Sequence, residues 1–135
     1  MKPREYSRKH IRIRPDTLVF GKVKIMQVDN KRVTSNSANV RILNFSVGGV
    51  RFASMLKLPI SKRVVLELYM TIEGTDYRME GFITNRCDAE IHEYEHGFCF
   101  QNPEKKLENT MLQIFRKLLI GQGLRIYLVR TDTDI

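Results

Sequence analysis

At 135 residues, with 42% apolar and 28% charged residues, the chain fits one domain that can bury a core without metal or disulfide support. No apolar run approaches the ~20 residues needed to span a bilayer, and the opening Met1-Lys2-Pro3-Arg4-Glu5-Tyr6 has no apolar stretch after its charges, so neither membrane insertion nor a secretory signal is expected and the cytoplasm is the expected compartment. The net charge of +8 is uneven: residues 1–32 hold ten Lys and Arg against three acids, a net of +7, and residues 33–135 hold thirteen against twelve, a net of +1, which points to an anionic partner for the N-terminal arm.

The arm, residues 1–15, contains Arg8-Lys9-His10-Ile11-Arg12, an Arg-x-x-x-Arg spacing, with Arg4 and Arg14 as auxiliary cations and Pro15 fixing the direction in which the arm enters the body of the domain. Three alternating segments come next: Lys22–Val28, Asn39–Phe45 and Val50–Phe52, each with the period of two that marks half-buried strands. Asp29-Asn30 marks a turn after the first. Gly48-Gly49 predicts a tight primed hairpin turn with positive φ between the second and third. A longer hairpin is predicted from Arg63–Met70, a turn at Glu73–Asp76 and a return over Tyr77–Arg86, and a further strand over Tyr94–Gln101. Six antiparallel strands at this spacing predict a small closed barrel, because closure removes exposed sheet edges.

The pattern then changes. Asn102-Pro103-Glu104 supplies a cap, a first-position proline and an early acid, and Leu107, Met111, Ile114, Phe115 and Leu118 recur at helical spacing, predicting an amphipathic helix that ends near Gly121 and packs on the barrel. Leu124–Val129 is a candidate late strand, and Thr131–Ile135 a frayed end. The organisation expected is therefore arm 1–15, barrel with C-terminal helix 16–120, and extension 121–135.

Asn44-Phe45-Ser46-Val47-Gly48-Gly49 is an Asn-x-Ser-x-x-Gly turn. Paired in this order with Arg8 and Arg12, and succeeded by Val50-Arg51-Phe52 and a single terminal helix, it resembles the signature of PilZ domains over residues 5–120. The resemblance implies a mainly β fold, a six-stranded antiparallel barrel with a C-terminal helix, and a bacterial receptor for cyclic di-GMP rather than an enzyme. It further implies Arg8, Arg12, Asn44, Ser46 and Gly49 as ligand-binding residues, with no catalytic group, metal or resident cofactor. The chemistry suits such a ligand. An arginine fork donates in parallel to guanine O6 and N7, its flat face stacks on a purine and its charge pairs with phosphate. In a straight strand residues four apart are separated by roughly 13 Å, so a joint grip by Arg8 and Arg12 requires a bent or mobile arm. Asn44 and Ser46, two apart, are expected to present an amide and a hydroxyl on one face. Two positions depart from the family pattern: Ser7, where members often carry another arginine, and Asn44, where many carry aspartate.

Other chemistry is weaker. Cys87 and Cys99 read as small buried strand thiols with no disulfide framework, and His92, His96 and Cys99 lack the second cluster that a zinc site needs. Asp88, Glu90, Glu93 and Glu95 read as a solvated cluster without a nucleophile beside it. Little chain precedes Arg8, so the output of ligand binding is expected to pass to a separate protein partner, from a monomer or weak homodimer, through ordering of the arm. Two alternatives stand beside this: a PilZ-like adaptor that does not bind nucleotide, and a basic nucleic-acid-binding barrel suggested by the pI near 9.7 and ranked last.

Overall fold

The computed structural model describes residues 9–15, 18–46, 48–72, 74–90, 93–101, 110, 112–114, 116 and 124–130. Nine strands are described: β1 (Lys9–Pro15), β2 (Val19–Val28), β3 (Lys31–Arg32), β4 (Ala38–Phe45), β5 (Gly49–Ser54), β6 (Val64–Ile72), β7 (Thr75–Glu90), β8 (Glu93–Phe100) and β9 (Leu124–Arg130). They form one sheet in the order β3-β2-β6-β7-β8-β5-β4-β1-β9, and a further β2–β4 pairing closes the six strands from β2 to β4 into an antiparallel barrel. The mainly β, six-stranded barrel read from the sequence is the fold observed.

The alternation that predicts the strands also fills the barrel. Leu66, Leu68, Met70 and Ile72 of β6 point inward with Met79 and Ile83 of β7, while Phe52, Phe98 and Phe100 stack beside them and Ile114 closes the cluster from the C-terminal side. Phe98 and Phe100 meet edge to face at 5.9 Å between centroids, a geometry that adds to the area they bury. Helical backbone is described at Thr110, Leu112–Ile114 and Arg116, with Ile114 fully buried and Leu112 exposed; the rest of the expected helix, with Leu107, Met111, Phe115 and Leu118, lies outside the described residues.

Two bulges matter for the site. The β4–β5 register shifts between Ile42 and Asn44, and the β7–β8 register shifts between Ile83 and Asn85. A strict period of two would send Asn44 inward behind Val40 and Ile42. The extra residue Leu43 reverses the phase, so Phe45 enters the core and Asn44 is left in the outer layer. Thr84 does the same for Asn85 after the buried Met79 and Ile83.

Gly49 does not have the left-handed backbone expected in this turn. Among the described residues it falls at Asp29 (φ 52°) and Asn30 (φ 68°), in the turn from β2 to β3, and at Gly74 (φ 80°), where Ile72 and Thr75 close the β6–β7 hairpin. The reason for Gly49 is crowding: a Cβ there would lie 2.0 Å from the Phe98 carbonyl oxygen on the neighbouring strand. Gly48 has no such neighbour within 4 Å.

Candidate functional site

The turn after β4 is closed by its own backbone. Ser46 N–H donates to Gly49 O at 2.9 Å, Gly49 N–H returns to Ser46 O at 3.4 Å, and the buried Ser46 hydroxyl donates to Gly49 O at 3.3 Å. Gly48 O in turn accepts from Phe100 N–H at 3.0 Å, which ties the turn to β8. Ser46 and Gly49 thus have fold duties that are independent of any ligand.

Beside this turn the outer face of the barrel carries a row of residues in register across four strands. Asn44 of β4 opposes Arg51 of β5, Arg51 opposes Gly97 of β8, and Gly97 opposes Asn85 of β7. The missing side chain at Gly97 is what lets the row connect: a Cβ there would lie 2.7 to 2.9 Å from the Asn85 amide. Arg51 spans the gap and donates from Nη1 to Asn85 Oδ1 at 3.1 Å. Its Nε donates to Glu95 Oε1 and its Nη2 to Cys87 Sγ, each at 3.1 Å. A parallel pair, Arg41 to Glu93 at 2.9 Å, lies one row away.

Two open recesses flank Arg51. One, of about 220 Å³, is lined by Ser46, Gly48, Gly49, Arg51, Asn85 and Gly97 among others; the second, of about 430 Å³, by Arg14, Arg41, Asn44, Arg51 and Glu95 among others. The first is smaller than the usual ~300–1,000 Å³ of a small-molecule pocket, so it has room for a ring system and not for a whole dinucleotide. The second combines cationic forks with a carboxylate, a mixture that suits a ligand bearing both acceptors and acidic N–H groups.

Of the predicted site residues, Ser46 and Gly49 line the smaller recess and Asn44 the larger. Arg8 lies outside the described residues. Arg12 lies in β1, whose backbone meets β4 at Ile13↔Phe45, which sets the backbone of Arg12 toward Ser46 and that of Arg14 toward Asn44. β1 pairs with β9 along its whole length, from Lys9↔Arg130 to Pro15↔Leu124, with Arg12 opposite Tyr127.

Sequence reasoning missed Arg51, Asn85 and Glu95. Glu93 and Glu95 are not a free solvated cluster but partners of Arg41 and Arg51, and Cys87, expected to be buried, is exposed at the end of the same network. The signal was faint: Arg51 comes directly after Val50 and the glycines, but Glu95 is 44 residues away from it. His96 faces the opposite way. It is fully buried, stacks on Phe52 at 5.2 Å, and its Nε2 accepts from Leu58 N–H at 3.2 Å while Arg86 donates to Leu58 O, so the two side chains pin the β5–β6 connection. Burial, then the nearby Arg86 and Arg51 charges, lower its pKa to about 4. Among the described residues no group of three or more His, Cys, Asp or Glu is placed to hold a metal ion, and no helix is long and apolar enough to cross a membrane.

A family model described as PilZ domain matches residues 4–117. No curated protein matches the chain.

Proposed function

We propose that this chain, which belongs to the PilZ domain family, is a receptor for cyclic di-GMP, in which the arginine arm and the Asn44–Gly49 turn take opposite sides of the ligand. PilZ domains are binding receptors for this dinucleotide rather than enzymes. The observation that supports the reading is the register pair Ile13↔Phe45, because it runs the backbone of the Arg12 end of the arm beside the start of the turn. Arg8 and Arg12 supply forks and charge to guanine and phosphate, Asn44 supplies an amide to a guanine edge, and Gly49 keeps the backbone of the turn accessible. Binding draws the arm onto the turn and changes the surface that a partner protein meets, which is a switch by reordering of a segment.

Calorimetric titration with cyclic di-GMP, GMP and cyclic di-AMP tests this. Binding of cyclic di-GMP with clear preference over the other two is expected, and Arg12→Ala is expected to remove it. Arg12→Lys, which keeps the charge but loses the planar fork, should recover little of the affinity. Absence of cyclic di-GMP binding by the unaltered chain, together with unchanged behaviour of Arg12→Ala, sinks the receptor reading. The adaptor reading has its own support in the turn, since Ser46 and Gly49 are explained by hydrogen bonding and strand approach alone. It predicts the same captured partner with and without nucleotide.

A further inference from the structure

Arg51 lies between the two recesses, on the strand that leaves the turn. Its guanidinium crosses β8 over Gly97 to reach β7, and three of its nitrogens donate to three different residues, Glu95, Asn85 and Cys87, each at 3.1 Å. Bonds from separate nitrogens of one planar group fix its tilt as well as its position. Edge donation is thereby directed largely into the protein. What a guanidinium so held retains for a ligand is its flat face, and a cation held flat against a π system is a good stacking partner. The smaller recess beside it matches that use. Among its lining residues Gly48 has no heavy atom within 4 Å of where a Cβ would stand, which leaves a ring unobstructed there, and the recess volume of about 220 Å³ suits one base.

We propose that Arg51 is the stacking platform for one guanine of cyclic di-GMP, seated over Gly97 beside the Ser46–Gly49 turn, and that Glu95 is the positioning residue that holds the platform flat. This rests on the chain being a cyclic di-GMP receptor. The pair is built for the purpose of orientation: the Arg51 and Glu95 side chains are 27% and 32% exposed, half-sunk between strands yet open to a ligand from outside.

The test titrates the unaltered chain, Arg51→Lys and Glu95→Gln with cyclic di-GMP at low and high salt, with thermal unfolding of each as the check on folding. Arg51→Lys keeps the charge and loses the face, so affinity is expected to fall about tenfold. The deficit should persist at high salt, because stacking is screened far less than pairing with phosphate. Glu95→Gln leaves Arg51 present on a weaker tether and is expected to cost about threefold. Arg51→Lys binding as tightly as the unaltered chain overturns the proposal, and so does a deficit that vanishes at high salt, which would make Arg51 a charge and not a platform. Should Arg51→Lys fail to fold, unchanged affinity of Glu95→Gln overturns it instead. No binding by the unaltered chain is a different result, and it removes the receptor reading itself.

Discussion

Gly48 and Gly49 are adjacent, chemically identical and structurally unlike. A methyl group at Gly49 would collide with a backbone carbonyl, which cannot swing aside, whereas one at Gly48 meets nothing within 4 Å. Gly49→Ala is therefore expected to destabilise the fold by about 2 kcal/mol or more through forced separation of β5 and β8, and Gly48→Ala to stay within about 0.5 kcal/mol of the unaltered chain; urea unfolding reads both. His96 gives a second residue-level expectation. Its folded pKa of about 4 lies below the ordinary 6.5, so the neutral form is the one the core accepts. Stability from this group is complete above pH 6.5 and is lost as the pH falls toward 4, roughly 3 kcal/mol in all. Unfolding curves at about pH 7 and about pH 4.5 should show the loss, and His96→Gln, which keeps an acceptor for Leu58 but does not titrate, should flatten it. Which residues were legible depends on distance along the chain. Asn44, Ser46 and Gly49 form a local motif and can be read in a glance, whereas Arg51 acquires its partners from residues 34, 36 and 44 positions away, and no local pattern announces such pairs.

At the level of elements, all six barrel strands were visible as period-two segments because each has one buried face and one wet face. The bulges were not. An extra residue leaves no compositional mark, and only the spacing of Ile42 and Phe45, three apart instead of two, betrays the one before Asn44 in retrospect. The extension held another surprise. The segment 124–130 is a strand as its alternation suggested, but its partner is the arginine arm, seven residues against seven, while the arm itself touches β4 at one described pair. Hydrogen exchange is expected to show β1 and β9 amides exchanging together and well before those of β6, β7 and β8, since β9 forms the edge of the sheet and β1 meets β4 at one described pair. Shortening the chain to end at residue 123 should strip protection from residues 9–15 and leave the unfolding temperature of the barrel nearly unchanged.

Across the whole molecule, charge and topology divide the labour. Arg41, Arg51, Arg63, Lys24 and Arg78 of the barrel each face a carboxylate, from Glu93, Glu95, Asp29 and, for the last two, Glu67, which fits a body whose net charge is near zero beside a strongly basic arm. Attraction to a generic polyanion should therefore reside in the arm and be screened. Binding to a single-stranded oligonucleotide is expected to fall steeply between about 50 and 200 mM salt, on the order of the thousandfold changes seen for several-phosphate contacts, while cyclic di-GMP, with two phosphates and two stacked bases, should lose far less. An oligonucleotide that outlasts the dinucleotide as salt rises would reverse that ranking. The open end of the β1–β9 ribbon has a consequence for engineering. Lys9 stands opposite Arg130 at one end of the β1–β9 ribbon, so a short turn joining residue 130 to residue 8 would make the ribbon continuous, keep Arg8, and allow the chain to be cut open in the β5–β6 connection. Such a circular permutant would carry Arg8 and Arg12 in the middle of its sequence, with both ends of the polypeptide in the β5–β6 connection.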